Sequence, residues 1–536
     1  MKKSIAGIAL MLAIAGQAFG QTTGPSSSVN PMITGTYSNV ETVSILTVGD
    51  TPTGSNYRMV GIPDGLGAFD NGNGTYTLLM NHELGDTLGV VRAHGSVGAF
   101  VSKWVIDAST HEVLSGEDLC TTVYQYDVNT GAYVAGTTAF SRFCSGDLPA
   151  PTAFYNSATG MGTQERIYMN GEETGSEGRA VGFIATGPDA GDAYVLAWLG
   201  RMSWENSIAS PTESDATVVI GTDDAFPGEL FVYVGTKTNT GTDIDKAGLN
   251  NGKLYGIKVT GYPDEPVAGI PNGTPFTLYE YTSVLTSTGA DLQTQSTANG
   301  VTGFARPEDG AFNPLDGNEF IWASTGNSGR PTRLWKLTFN DITDPTLGGT
   351  IDTLIEGDAT GLPFDMDNLT VDAYGNVLIQ EDTGSSDRLA KIWNYSLNRD
   401  ALTEIAEHSP EFFDPNLLGA GMPGPNFITT NEEASGIIPM FDILGNGWYV
   451  LDVQVHASNP DPELVEGGQL VAMKSPFAFC YGDFDQNTML NIFDYIAYGN
   501  AYANNDALAD CTGDGTLNIF DYICFGNQYA LGCPNN

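Results

Sequence analysis

The chain has 536 residues, with 64 Asp and Glu against 21 Lys and Arg, for a formal net charge of −43. A surface of that sign repels nucleic acid and anionic lipid, which argues against both as partners. Disorder is disfavoured too, because 41% hydrophobic and 10% aromatic residues are enough to build a core.

Residues 1–20 read as an export signal and not as fold. "MKKS" gives a short positive head, "IAGIALMLAIAG" an apolar core, and Ala18 and Gly20 are the small residues ahead of a cleavage before Gln21. That apolar run is too short to span a bilayer, and no later stretch reaches the roughly 18 apolar residues of a membrane helix. The expectation is a secreted protein, extracellular or attached at the cell surface, with no membrane span. Six cysteines in an exported chain permit disulfides. Cys480, Cys511, Cys524 and Cys533 crowd the end, mark it as a separate module and leave their pairing open.

From residue 21 to 475 the sequence gives short β-rich runs cut by turn signals, such as "FDNGNGTYTLLMNHE", "YQYDVNTGAYVA" and "VDAYGNVLIQED". Asn-Gly and Asp/Asn-rich turns between alternating or aromatic strands are hairpin signatures. An open sheet of so many hairpins would leave long unpaired edges, so an all-β propeller of about six blades is expected. A pair of large sandwiches or a solenoid is the competing architecture. The repeat does not show as sequence identity.

Many of these runs finish in acids: Glu83 after His82 in "NHE", Glu172 and Glu173 in "GEE", Glu205 in "WEN", and Asp223 and Asp224 in "TDD". Further along stand Glu308 and Asp309 in "RPED", Asp367 in "DMDN", and Glu381 and Asp382 in "QED". A propeller gathers its strand ends at one mouth of the channel, and so many carboxylates share a pocket only when cations neutralise them. Oxygen donors alone suit Ca²⁺, Mg²⁺ or Mn²⁺, whereas a thiolate draws in a softer metal. Taken singly, each acid is as well explained as a turn former or a solvated charge. The set carries the argument. Five histidines supply no Ser/His/Asp spacing of a known hydrolase kind, and no Gly-Lys phosphate loop is present.

The ordered motifs "NHE", "GEE", "GRMSWEN", "RPED", "DNL", "DAYGNVLIQED" and "LDVQVHASNP" resemble the PhoX-type alkaline phosphatases over residues 55–475. The resemblance implies a six-bladed propeller that hydrolyses phosphate monoesters at a calcium and iron cluster held by a cysteine thiolate, carboxylates and a bridging oxygen. On this chain it points to Cys144, Glu172, Glu173, Glu205, Glu308, Asp309 and Asp382 as metal ligands, and to Arg306 and Glu308 as catalytic residues, with Arg306 meeting phosphate. A phosphate ester entering so acidic a body needs bound cations. The chain departs from the family in its signal, which has Lys2 and Lys3 where twin arginines are common. Cys144 also has two readings, a metal thiolate or a disulfide with Cys120; the second would leave a calcium-only or catalytically silent propeller. The leading expectation is a secreted metal-dependent phosphatase acting on a phosphate-ester small molecule. The alternatives are a phytase-like or other esterase on the same fold, and a non-enzymatic calcium-stabilised binding propeller.

The last module, residues 479–534, writes "LNIFDYI" twice. "DFDQNTMLNIFD" puts Asp483, Asp485, Asn487, Asn491 and Asp494 at positions 1, 3, 5, 9 and 12 of a calcium loop. "DCTGDGTLNIFD" puts Asp510, Thr512, Asp514, Asn518 and Asp521 at the same positions. The sixth position must turn sharply, which suits Gly515 better than Thr488 and predicts a weaker first site. Two Asn/Asp-capped helices without an ion are the plainer alternative. The segment resembles a type I dockerin of the kind ending in "GC", which implies paired calcium loops that dock onto a cohesin-like or other surface receptor.

Overall fold

Six antiparallel units of four main strands follow one another around a ring. The computed structural model describes residues 20–533, so the stretch read as an export signal lies outside the described residues apart from Gly20. The innermost strands of the six units are β1 (Pro63–Asp70), β2 (Phe143–Asp147), β3 (Trp204–Ala209), β4 (Pro307–Phe312), β5 (Met366–Val371) and β6 (Glu432–Pro439). Each touches the next in chain order, and β6 returns to touch β1. The ring is closed by the start of the chain: Glu41–Thr47 pairs antiparallel with Gly467–Lys474 and completes the sixth unit. Units three and four merge into one nine-stranded sheet where Thr274–Glu280 pairs with Gly349–Glu356. The architecture is mostly β and propeller-like, and closure removes the long edges that an open sheet would expose.

The turns are built by the residues that signalled them. Between β1 and Thr75–His82, Gly72 and Gly74 take φ of +72° and +84°, and the Asn71 N–H closes on the Thr75 carbonyl at 3.1 Å. The core lies where units face each other. Tyr449, Leu451 and Val453 of the sixth unit pack on Leu378 and Ile392 of the fifth, each such burial worth about 1.5–3 kcal/mol.

The tail carries α1 (Ile492–Ala503) and α2 (Ile519–Leu531), tied by the disulfides Cys480–Cys533 and Cys511–Cys524. Tyr498 and Phe525 stack at 4.2 Å to form its small core. The tail is seated on the fifth unit. The Arg399 guanidinium lies 4.4 Å over the Tyr481 ring and donates to the Cys511 carbonyl at 3.3 Å, while Gln528 donates to the Asn398 carbonyl at 3.0 Å. Among the described residues no helix is long and apolar enough to cross a membrane.

Candidate metal centre

One backbone hydrogen bond repeats in all six units. The residue directly before each innermost strand accepts from the N–H of the residue directly after the second strand. The pairs are Ile62 with Glu83, Arg142 with Glu173, Ser203 with Asp224, Arg306 with Thr325, Asp365 with Asp382, and Asn431 with His456, at 2.8–3.1 Å. This bond makes positions comparable where the sequences are not. It follows that the second residue of each innermost strand is equivalent: Asp64, Cys144, Glu205, Glu308, Asp367 and Glu433, all buried.

At or just beyond these residues the ladder slips. In β2, Cys144 and Ser145 together oppose Gly171; in β4, Glu308 and Asp309 oppose Ala323; in β5, Asp367 and Asn368 oppose Gln380. In β3 Glu205 is itself the extra residue, in β1 it is Gly65, and in β6 the slip comes later, between Ala434 and Ile437. A bulge breaks regular pairing and re-aims a side chain; in β2 to β5 it includes the ring residue itself, whereas in β1 and β6 Asp64 and Glu433 are still paired, with Asn81 and Gln454.

The result is three overlapping donor sets whose ligand atoms lie within 4.8 Å of one another: Asp64, Glu83 and Cys144; Cys144, Glu173 and Glu205; and Glu205, Glu308 and Asp367. Burial, followed by neighbouring acids, pushes Asp64, Glu308 and Asp367 well above the usual carboxylate range. The same causes raise the Cys144 thiol. Burial first, with nearby acids adding to it, raises Glu173 to about 10, Glu205 to about 8 and Asp382 to about 7. Glu433 is the exception: burial pushes it up, but the hydrogen bond and charge of His456 outweigh that and hold it low. Three cations face this ring. Arg142 binds Glu83 at 2.7 Å and Glu173, and Arg306 grips Asp224 with two bonds of 2.8 Å and approaches Glu308 at 3.2 Å. His456 sits 3.5 Å from Glu433 and 2.8 Å from Glu466; burial opposes its charge, yet the two carboxylates raise it to about 10. They do not neutralise the ring, and the buried Asp367 Oδ1 has no hydrogen-bond partner. Divalent or trivalent metal fits this donor set: the all-oxygen group suits a hard cation, and the two groups sharing Cys144 suit a softer one.

Of the ligands expected from sequence, the structure brings together Cys144, Glu173, Glu205 and Glu308. Cys120 and Cys144 are separate buried thiols, which removes the disulfide reading. Glu172 is not brought to the ring, because it turns back to accept from Arg179 and from the Ser141 N–H at 3.0 Å. Asp309 lies one residue beyond the ring, where Asn206 Nδ2 and the N–H groups of Gly310 and Leu369 occupy its oxygens. Asp382 stands on the rim beside Glu433, outside the three sets. Arg306 is held on Asp224. His82 is core: it stacks on Phe100 at 4.3 Å and meets the Ser102 hydroxyl at 2.9 Å. Glu83 and Asp367, noted among the strand-end acids but not among the ligands, join the sets. Asp64 was missed, although Pro63-Asp64-Gly65 repeats the chemistry of Pro307-Glu308-Asp309-Gly310 and was a usable signal. Glu433 and Arg142 were missed as well.

In the tail, Asp483, Asp485 and Asp494 converge within 4.8 Å, and the loop N–H groups of Asn487 and Thr488 point at Asp483 at 3.1 and 2.8 Å. In the second loop Gly513 and Gly515 point at Asp510 in the same way, and Thr512 donates to Asp521 at 2.9 Å. Asp514 accepts from the Thr516 N–H at 2.8 Å, and the Asn487 side chain bonds Asp485 at 2.8 Å. Thr488 and Gly515 both turn left-handed, at φ of +70° and +77°. Asn491 and Asn518 cap α1 and α2, their oxygens accepting from the Phe493 and Phe520 N–H groups at 2.8 Å.

No family model matches the sequence, and no curated protein does. Among solved structures, Pseudomonas fluorescens PhoX in complex with vanadate, a transition state analogue, is similar with a TM-score of 0.59 and 12% identity, over 85% of this chain and 98% of that one. A luciferin-regenerating enzyme follows at a TM-score of 0.33, with 11% identity over 78% and 92% of the two chains. An endo-arabinase from Bacteroides thetaiotaomicron gives 0.30, with 10% identity over 66% and 98%. The first likeness establishes a shared fold; the other two are too distant to argue from.

Proposed function

We propose that this chain is an exported, metal-dependent hydrolase of phosphate monoesters, held at a surface or in a complex by its paired-loop tail. The observation that carries the reading is the ring of buried acids and one thiol at the second position of all six innermost strands. Such a ring repels a phosphate dianion unless cations occupy it, and a body already at −43 has no other reason to bury so many carboxylates together. The three donor sets would hold metal, calcium in the all-oxygen set and iron or a similar softer ion at Cys144, supplying Lewis-acid charge for the phosphoryl oxygens. The chain's own contribution is positional. Bulges fix Cys144, Glu205, Glu308 and Asp367, Asp224 holds Arg306 through two bonds of 2.8 Å with Glu308 3.2 Å away, and Arg306 presents its other edge to the ester. A shared fold with a protein crystallised with vanadate supports the choice of phosphate over other esters.

The tail supports attachment. Ile492, Phe493 and Ile496 on α1, and Ile519, Phe520 and Ile523 on α2, are all more than half exposed at matching positions. A cohesin-like receptor is the partner this duplicated apolar face suits. The two disulfides fit an oxidising, extracellular setting.

The test is turnover of an aryl phosphate by the purified chain, with an aryl acetate and an aryl glycoside assayed beside it. Cleavage confined to the phosphate supports the reading; cleavage of the glycoside or acetate alone overturns it.

A further inference from the structure

The six positions directly ahead of the innermost strands hold Ile62, Arg142, Ser203, Arg306, Asp365 and Asn431. Two of the six are arginines, and they flank the third unit, whose contribution to the ring is Glu205. Four of the six, Ile62, Arg142, Arg306 and Asp365, share an unusual backbone, with φ of +53°, +48°, +59° and +43°, so the arginines occupy a position that the units build alike. Non-glycine residues seldom adopt that region, and where they do the strain concentrates at functional sites.

The two arginine side chains behave alike too. Each spends Nε and Nη2 on an acid that directly follows a second strand, Arg142 on Glu83 and Glu173, Arg306 on Asp224. In both, Nη1 makes no hydrogen bond among the described residues. The Arg142 side chain is 50% exposed and that of Arg306 36%, whereas the ring acids Glu205 and Glu308 are each 1% exposed. Arg179 shows what a structural counter-ion looks like in the same unit: it commits Nε, Nη1 and Nη2 to Glu172, Thr138 and the Ala139 carbonyl. Arg142 and Arg306 are anchored on one edge and open on the other.

We infer that Arg142 is a second substrate-binding residue, and that Arg142 and Arg306 together form one oxyanion seat over Glu205 that takes the non-bridging oxygens of a phosphate monoester. This rests on the phosphatase reading. A guanidinium matches tetrahedral oxyanions through paired N–H donors, and two of them match a dianion better than a monoanion. Arg142 therefore selects monoesters against diesters, which carry one charge fewer at the phosphoryl group.

The experiment measures binding of inorganic phosphate to the metal-loaded full chain by calorimetry, together with the ratio of monoester to diester turnover. It compares Arg142→Gln, Arg142→Lys, Arg306→Gln and, as a surface control, Arg201→Gln. Arg142→Gln and Arg306→Gln should each weaken phosphate by about ten- to a hundredfold, the value of a charge-assisted pair. Arg142→Gln should also lower the monoester preference, and Arg201→Gln should change nothing. Thermal unfolding checks each fold. If Arg142→Gln does not fold, Arg142→Lys decides, because it keeps the charge facing Glu83 and Glu173 but loses the paired donors; it should still weaken phosphate by about threefold or more. Wild-type phosphate binding in the Arg142 variants with loss in Arg306→Gln overturns the two-arginine seat alone. Wild-type binding in all four, or no phosphatase turnover in the parent, overturns the underlying phosphatase reading instead.

Discussion

Cys144 Sγ lies 3.3 Å from Glu205 Oε1, across the boundary between the second and third units. The same carboxylate oxygen accepts from the Ser145 hydroxyl, to which Asn368 of the fifth unit donates from across the channel at 2.8 Å. Thiol, acid and amide thus form one buried network drawn from three units, and a change at Cys144 acts on the whole centre.

Because Cys120 and Cys144 are both free, denaturing the protein without reductant should expose two thiols per chain to an aromatic disulfide reagent. No reactive thiol would restore the 120–144 bridge. Cys144→Ser should remove iron or another soft metal from the purified protein while calcium persists, since Glu205, Glu308 and Asp367 remain. Elemental analysis decides, and an unchanged metal content contradicts the assignment.

Neighbouring acids should separate cleanly. Glu172→Gln breaks a buried pair with Arg179 and should cost about 3 kcal/mol of stability, leaving metal content unchanged. Glu173→Gln should do the reverse, keeping the melting temperature near that of the parent and weakening metal binding by about tenfold or more. The two measurements swapping places would mean that the ring has been drawn through the wrong residue.

The metal-free protein should lose stability as pH rises. Glu205, Glu173 and Asp382, raised to about 8, 10 and 7, hold protons in the folded chain that the unfolded chain releases near its ordinary carboxylate values. Their contribution is complete below those ordinary values and is lost as pH climbs through the raised ones, so the chelated protein's melting temperature should fall between about pH 6 and about pH 9. Metal holds Glu173 and Glu205 ionised, and the loaded protein should show a flatter profile. A rising profile after chelation would contradict the buried ring.

Much of this was legible in the sequence, and for a physical reason. Asn-Gly turns and alternating strands such as "TYTLLMNH" are local signals, so the all-β character and the hairpins could be read. The acids after second strands stood out because charge interrupts an apolar run, as at Glu83 and Glu173. The ring's inner members were harder. Asp64 and Glu433 sit at strand beginnings, paired with Asn81 and Gln454, and their place in the ring follows from the closure that brings the sixth unit back to the first, which no single strand reveals. Glu172 and Asp309 were overread for the same reason: adjacent acids face different ways, and only the register says which. The capping role of Asn491 and Asn518 competed with the calcium reading because one residue type serves both.

In the tail, Thr488 holds a left-handed φ of +70° where the second loop has Gly515. Thr488→Gly removes a penalty of about 1 kcal/mol and should raise the first loop's calcium affinity by up to about fivefold, read by calcium titration of the full chain. An unchanged or weaker affinity would show that the loop does not close around an ion as its ligand spacing suggests.

The central claim is that the ring of acids around Cys144 and Glu205 works through bound metal. The most direct measurement is aryl phosphate hydrolysis by the mature protein as isolated, after chelation, and after return of Ca²⁺ with and without Fe³⁺. The account predicts activity that chelation abolishes and that calcium and iron together restore. Activity that survives full removal of metal from a folded protein, or silence in every condition, would contradict it.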